Sequence, residues 1–290
     1  MTNLPGGGVA ESGIARNGEV EIAYEVFGRP GGRPLVLLNG LDGTMLGWAE
    51  GFCAALAEAG FQVVRYDHRD AGLSTHFTGR GRAYRVGDMV DDMIAVQDTL
   101  GWESAHLCGL SMGAGLAQFA ALRNPGRVRS LTLMSPIRMV GADFASLRYV
   151  RLPGPLKIVF KKYGKTPEDK VRMLMDIMRL TEARSMPLDE ASVRETAERA
   201  VRRRMPDPDA GMRVRAARRA ERPPAGGIRG ITQPTLVISG AEDPLINPRA
   251  GAALAKKIPG ARYVLVERMG HTFAPGLWPR LVGEIERHTS

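Results

Sequence analysis

A serine in a glycine-flanked turn is the residue of this chain with the clearest potential for chemistry. Ser111 lies at the centre of residues 109–113, Gly-Leu-Ser-Met-Gly, with an apolar run before it and an alanine-rich segment after it. This pattern predicts a strand, a sharp turn and a helix. Backbone strain then lifts the hydroxyl out of the sheet, and the helix N-terminus offers N–H groups to an anion. We therefore predict a nucleophile rather than an ordinary turn.

A serine nucleophile needs a base, and the base needs an acid that orients it. In sites built on this kind of turn, the three residues follow the chain order serine, acid, histidine. Of the five histidines, only His271 and His288 come late enough. His288 lies near the C-terminus, at the end of the last predicted helix, whereas His271 follows an apolar strand at 263–266. We therefore expect His271 to be the base.

The acid is expected in the loop after the preceding strand, at 235–239. Glu242 and Asp243 compete for that position. We favour Asp243, because a proline stiffens the turn directly after it and its shorter side chain suits a fixed hydrogen bond. An acid after the strand at 128–134 is the alternative, but the first acid beyond that strand is Asp143, which weakens it.

An oxyanion hole requires two backbone N–H donors. Met112, directly after the nucleophile, is expected to supply one. The buried strand at 35–38 is followed by a glycine-containing loop, and Leu41 in that loop is the expected second donor. A plain surface turn is the competing interpretation of this loop.

Three motifs together resemble a known family. They are residues 65–75, Arg-Tyr-Asp-His-Arg-Asp-Ala-Gly-Leu-Ser-Thr, the segment 109–114, and Met-Gly-His at 269–271. The chain resembles the α/β-hydrolases and, more narrowly, the aclacinomycin methylesterase family of anthracycline tailoring. The resemblance runs from about residue 19 to the C-terminus, except in the segment from about 141 to 227.

The resemblance implies an esterase that needs no metal or organic cofactor. It also implies that the backbone N–H groups of Leu41 and Met112 act together. Many α/β-hydrolases have His-Gly in the oxyanion loop, where this chain has Asn39 followed by glycine. The 65–75 run is expected to be structural, binding a loop near the site through its polar residues, Asp67, Arg69 and Ser74.

Short apolar runs alternate with helical patterns along most of the chain. This alternation predicts an α/β fold with a mostly parallel central sheet and helices on both faces. Residues 13–140 and 228–290 are expected to form this core, and residues 1–12 a flexible leader. Residues 141–227 carry helical patterns without strand signals, and they predict a helical, arginine-rich lid.

The net charge of +9 is concentrated in one part of the chain. Residues 141–230 contain 21 of the 40 basic and 12 of the 31 acidic residues. The dense arginine runs at 202–204 and 213–222 suggest a solvated helix face or, alternatively, steering of an anionic substrate or docking of an acidic carrier protein. Nucleic-acid binding is not expected, because the runs almost lack aromatic residues and no recognition motif is present.

The composition is typical of a globular protein. Hydrophobic residues make up 44% of 290, and no apolar run approaches the ~18 residues that span a membrane. The N-terminus lacks the basic and apolar pattern of a signal peptide. The two cysteines, Cys53 and Cys108, do not require a disulfide. We therefore expect a cytoplasmic protein.

Several residues are candidates for substrate contact. Asp42 and Trp48 lie in or just after the expected oxyanion loop. Leu174, Met175 and Met178 share one face of the first predicted lid helix, and methionine adapts to irregular apolar ligands. The alternative is that this stripe only packs the lid against the sheet.

The expected reaction is ester hydrolysis through an acyl-enzyme on Ser111. The family resemblance suggests a methyl ester on a bulky, apolar polyketide-type scaffold. Thioesterases, lactonases and C–C bond hydrolases use the same three residues, and the fold alone does not separate them. A cyclase, a decarboxylase or a ligand-binding protein on this scaffold is the alternative of a different class.

Overall fold

The structure of the chain, a computed structural model, describes most of the sequence. It covers residues 9, 11–41, 43–79, 84–136, 138–140, 148–151, 161, 163–164, 166–186, 188–204, 209–220 and 226–290.

An eight-stranded sheet forms the centre of the described structure. In chain order, its strands are β1 (Glu11–Asn17), β2 (Val20–Phe27), β3 (Arg33–Leu38), β4 (Phe61–Tyr66), β5 (Ala105–Leu110), β6 (Val128–Met134), β7 (Thr235–Gly240) and β8 (Arg262–Val266). Their order in space is β1-β2-β4-β3-β5-β6-β7-β8. Strand β2 runs antiparallel to β1 and β4, and the remaining pairs are parallel. The predicted, mostly parallel sheet is therefore confirmed.

Strand β1 was not expected from the sequence. It begins at Glu11, inside the stretch predicted to be a leader, and it pairs with β2 from Val20 to Val26. Most of its side chains are exposed or half-buried, and only Ala15 is fully buried. A strand with one buried side chain has no apolar alternation, so its sequence carries little strand signal.

Helices connect the strands and cover both faces of the sheet. The core helices are α1 (Glu50–Glu58), α2 (Val86–Thr99), α3 (Met112–Arg123), α7 (Arg249–Ala255) and α8 (Trp278–Thr289). The stretch between β6 and β7 contributes α4 (Pro167–Thr181), α5 (Glu190–Arg202) and α6 (Ala210–Ala220). None of the helices among the described residues is long and apolar enough to cross a membrane.

Two hydrophobic layers hold the helices against the sheet. Alternate residues of a strand point to opposite faces, so Val36 and Leu38 of β3 pack with α2 and α3, while Leu35 and Leu37 pack with α1 and α8. This double covering matches the predicted fold class.

Both cysteines are free and buried, and burial raises the pKa of both thiols.

The described residues between β6 and β7, called the insertion below, contact the loops that follow the strands. Helix α4 packs against α5 through Val171 and Met175. Leu174 also packs against a small cluster that contains Met45 and Leu46, which lie at the end of and just after the loop that follows β3. The helices of the insertion are therefore in contact with the edge of the sheet where the predicted catalytic loops begin.

Candidate active site

Ser111 lies in a strained turn between β5 and α3. Its backbone has φ 54° and ψ −111°, a conformation that residues with a side chain rarely adopt. Its N–H donates to the carbonyl of Met134 at 2.9 Å. A Cβ on Gly113 would lie 2.1 Å from the carbonyl oxygen of Leu38, and one on Gly109 would lie 2.4 Å from Gly113. The two glycines thus allow the close approach that the sequence pattern predicted.

His271 and Asp243 form a buried pair at the ends of neighbouring strands. Nδ1 of His271 lies 2.9 Å from Oδ2 of Asp243. The other carboxylate oxygen accepts the N–H groups of Leu245 and Ile246, each at 2.8 Å. The side chains are 9% and 2% exposed. An anchored carboxylate on Nδ1 fixes the tautomer and leaves Nε2 free to accept a proton.

Glu242, the competing acid, makes a different contact. Its carboxylate accepts from the hydroxyl of Ser185 at 2.6 Å and from the N–H of the same residue at 3.0 Å. Ser185 belongs to the helical insertion, just after α4. Glu242 therefore ties the insertion to the loop that carries Asp243, and it does not pair with the histidine.

Two further contacts hold the backbone of His271, and sequence reasoning missed both. Its N–H donates to the carbonyl of Thr181 at 2.7 Å, and its carbonyl accepts from the hydroxyl of Ser135 at 2.9 Å. Ser135 has φ 44° and stands directly after β6, the strand that the sequence analysis gave as the alternative place for the acid. A residue in a strained conformation beside a catalytic candidate points to a positional role. A serine before a proline at a strand end was the available signal.

The 65–75 run supports the loop of residues 39–45. The N–H of His68 donates to the carbonyl of Gly43 at 2.8 Å, and Nε2 of its ring lies 3.1 Å from the carbonyl of Asn39. Burial lowers the pKa of His68, which favours the neutral ring. Oδ1 of Asp67 accepts the N–H of Met45 at 2.8 Å.

Ser74 and Arg69 are the other polar residues singled out in this run, and neither binds the loop of residues 39–45 through the contacts described here. The Ser74 hydroxyl donates to the carbonyl of Asp67 at 2.7 Å. Arg69 binds Asp92 of α2 through two hydrogen bonds of 2.6 Å, rather than the loop of residues 39–45. The support of that loop therefore comes from Asp67 and His68.

The comparison with known proteins gives the family. The family model described as "alpha/beta hydrolase fold" matches residues 33–274. The chain belongs to the α/β-hydrolase family. The predicted fold class is thereby confirmed.

Two curated relatives narrow the resemblance of this α/β-hydrolase. Rhodomycin D methylesterase DauP of Streptomyces sp. (strain C5) is 29% identical over 93% of this chain and 95% of its own length. Rhodomycin D methylesterase DnrP of Streptomyces peucetius is 29% identical over 94% and 96%. The predicted resemblance to the aclacinomycin methylesterase family is confirmed, as is the predicted enzyme class, a carboxylic ester hydrolase.

Among solved structures, the enol-lactonase from Burkholderia xenovorans LB400 is 25% identical with a TM-score of 0.70. The match covers 95% of this chain and 99% of the lactonase. The esterase RhEst1 from Rhodococcus sp. ECU1013 reaches a TM-score of 0.76 at 21% identity, over 96% and 98%, and this likeness concerns the fold alone.

The predicted oxyanion donors of the hydrolase occupy different surroundings. Met112 is buried at the start of α3, and Leu41 is 49% exposed in the loop after β3. Asp42, predicted to contact substrate, lies outside the described residues. Trp48 is fully buried and stacks on Phe52 with ring centroids 5.9 Å apart, so it lies among core aromatics.

The predicted methionine stripe divides between two environments. Met175 is buried between α4 and α5, and Leu174 is half-buried against the cluster that contains Met45 and Leu46. Met178 is half-buried one turn further along α4. Packing therefore accounts for Met175, while Leu174 and Met178 stay predicted substrate contacts.

Several arginines of the insertion are engaged with acids of the core. Arg199 binds Glu50 at 2.6 Å and Arg203 binds Asp67 at 2.9 Å. Arg213 is fully buried and pairs with Asp70 at 2.8 and 2.9 Å. Ion pairs hold Arg203 and Arg213 against the core, so neither a solvated face nor a steering surface describes these two side chains.

Proposed function

We propose that this hydrolase cleaves its ester through an acyl-enzyme formed on Ser111. The observation that carries the proposal is the buried 2.9 Å hydrogen bond between His271 and Asp243. Both residues stand in loops after adjacent strands, and Ser111 stands in the strained turn after β5. These are the places where an α/β-hydrolase needs its base, acid and nucleophile.

In this reaction the Ser111 oxygen attacks the ester carbonyl carbon while Nε2 of His271 takes the hydroxyl proton. Asp243 stabilises the imidazolium that results. The histidine then gives the proton to the departing alkoxide, and the alcohol leaves. A water molecule, activated by the same nitrogen, attacks the acyl-enzyme and releases the acid. No metal or organic cofactor is needed for these steps.

The backbone N–H groups of Leu41 and Met112 are proposed to bind the oxyanion. Each donor of this kind contributes roughly 3–4 kcal/mol to transition-state stabilisation in comparable enzymes. The hydrogen bonds of Asp67 and His68 to the loop of residues 39–45 support this assignment, because an oxyanion donor must be held in place before the reaction.

The proposed substrate is a methyl ester of a bulky, apolar polyketide-type metabolite. The two rhodomycin D methylesterases align with nearly the whole chain, which supports this choice. If the product is a β-keto acid, it can lose carbon dioxide after hydrolysis. A lactone, a thioester and a C–C bond stay alternatives, since the same three residues serve those reactions.

The proposal also covers setting and partners. We propose a cytoplasmic enzyme that acts on a small molecule, without nucleic acid. An acidic carrier protein docked on the insertion has less support, because Arg203 and Arg213 are already paired with acids of the core.

The test combines active-site labelling with a substrate panel. A fluorophosphonate probe should label the wild-type chain on the peptide that contains Ser111, and Ser111→Ala should abolish both labelling and ester turnover while the far-UV spectrum is unchanged. His271→Ala should cost about as much as Ser111→Ala, and the double variant little more, since the residues act as a unit. Matched methyl ester, lactone and thioester substrates then rank the reactions. Wild-type turnover by Ser111→Ala would overturn the assignment.

A further inference from the structure

Arg203 follows the last residue of α5, and its guanidinium reaches from the insertion into the core. Nη2 lies 2.9 Å from Oδ2 of Asp67 and 3.5 Å from Sδ of Met45. Nη1 lies 3.4 Å from Oε1 of Glu25. The side chain is 20% exposed, whereas that of the neighbouring Arg202 is 65% exposed. Of these two adjacent arginines, Arg203 is the one turned inward.

The carboxylate that receives Arg203 is buried and serves three partners. Oδ1 of Asp67 accepts the N–H of Met45 at 2.8 Å, and Oδ2 accepts the N–H of Leu73 at 3.0 Å as well as the guanidinium. The Asp67 side chain is 0% exposed. A buried carboxylate is strongly disfavoured unless it is paired, so Arg203 stabilises the charge that holds Met45.

We infer that Arg203 is a positioning residue for the oxyanion hole, acting through Asp67. Met45 ends the loop of residues 39–45, and Leu41, the proposed oxyanion donor, lies in that loop. An arginine of the insertion thereby stabilises the loop in its reactive conformation. This inference rests on the proposed function, because it requires that the Leu41 N–H bind the oxyanion.

Arg199 provides a matched control. It lies in α5, four residues before Arg203, and it also joins the insertion to the core, through a 2.6 Å ion pair with Glu50. Glu50 is at the start of α1 and outside the loop of residues 39–45. Loss of Arg199 therefore weakens the attachment of the insertion without removing a partner of Asp67.

The experiment compares Arg203→Met, Arg203→Lys and Arg199→Met with wild type. The measurements are kcat and KM for a p-nitrophenyl ester, the inhibition constant of an alkyl trifluoromethyl ketone, which forms a tetrahedral adduct on the serine, and Tm. Arg203→Met is expected to lower kcat about tenfold and to raise the inhibition constant of the ketone by a similar factor. Its KM should stay within about twofold of the wild-type value. Full removal of an oxyanion donor costs about 100-fold or more, and a displaced donor less. Arg203→Lys should fall between, and Arg199→Met should keep wild-type kcat.

The outcomes separate the two proposals. If Arg203→Met loses no more kcat than Arg199→Met, or if its loss is confined to KM, the positional role is wrong and the serine mechanism stands. If Arg203→Met does not fold, the same comparison is made with Arg203→Lys, and wild-type kcat and ketone affinity in that variant would overturn the inference. If wild-type turnover does not depend on Ser111, both proposals fail together.

Discussion

His271 is held by three separate elements of the fold. The carboxylate of Asp243 binds its ring, the carbonyl of Thr181 accepts its N–H, and the hydroxyl of Ser135 binds its carbonyl. One of these supports, Thr181, belongs to the helical insertion. The orientation of the imidazole therefore depends on contacts that come from outside the proposed triad.

The division of labour between Asp243 and Glu242 can be measured. We expect Asp243→Asn to lower kcat by a factor approaching 10⁴, because an amide favours the wrong histidine tautomer. Glu242→Gln should keep most of kcat, since its carboxylate binds Ser185 rather than His271. Steady-state kinetics on a p-nitrophenyl ester, with Tm as the folding control, gives the ranking. The reverse ranking would transfer the acid role to Glu242.

At the scale of single residues, the sequence predicts side chains better than it predicts backbone partners. Ser111, Asp243 and His271 could be located because particular residue types follow particular strands. The Thr181 contact could not be predicted, because a main-chain carbonyl is present in every residue and has no sequence signature. The contact of Arg203 with Asp67 could not be predicted either. Arg203 lies in a run of three arginines, and the sequence does not indicate which of them points toward the core.

At the scale of elements, close approach of β3, β5 and α3 positions Ser111, the proposed nucleophile. Gly113 lies in the first turn of α3, where a Cβ would meet the backbone of Leu38 and Asn39. These atoms belong to the main chain and cannot rotate away. The distance between the end of β3 and α3 therefore leaves room only for a residue without a side chain.

Two helical glycines offer a matched test of this fit. Gly113→Ala should destabilise the fold by about 1–3 kcal/mol, because the new methyl group overlaps the end of β3. Gly283→Ala in α8 meets nothing within 4 Å, and it should stabilise by about 0.5–1 kcal/mol through helix propensity. Urea unfolding of both variants checks the signs. Equal effects would mean that the elbow tolerates a side chain.

Most of the core elements could be predicted, and the exceptions have physical reasons. The buried parallel strands are short apolar runs between turn signals, so the sequence marks them clearly. Strand β1 has a single buried side chain and no such mark. The substrate role of the α4 stripe could not be decided from periodicity, because the same spacing serves packing between α4 and α5.

At the scale of the whole molecule, buried ion pairs attach the insertion to the core. Arg213 is fully buried, and its guanidinium binds both carboxylate oxygens of Asp70. Arg213→Met should destabilise the fold by about 3–5 kcal/mol, because Asp70 is left with an uncompensated charge. Asp70→Asn in the same chain should recover part of that loss in urea unfolding. An unchanged midpoint in Arg213→Met would contradict the structural role.

Stability is expected to fall as the pH drops below about 6.5. Burial and the nearby charges of Arg129 and Arg33 lower the pKa of His106 from 6.5 to about 4, and burial also lowers that of His288. Between those values the unfolded chain binds protons that the folded chain does not, so acid favours unfolding. Urea unfolding at pH 7.0 and 5.5 measures the loss, and His106→Gln should reduce it. An equal pH response in His106→Gln would remove His106 as its source.

In the insertion, Thr181 contacts His271, Ser185 contacts Glu242 beside Asp243, and Arg203 contacts Asp67, which binds the loop of residues 39–45. The substrate range of such a hydrolase could be changed by replacing the insertion with that of a relative. The new insertion would also have to restore these three contacts with the proposed catalytic loops. The practical route to altered specificity is therefore stepwise substitution at half-buried positions such as Leu174 and Met178, rather than a graft of the whole segment.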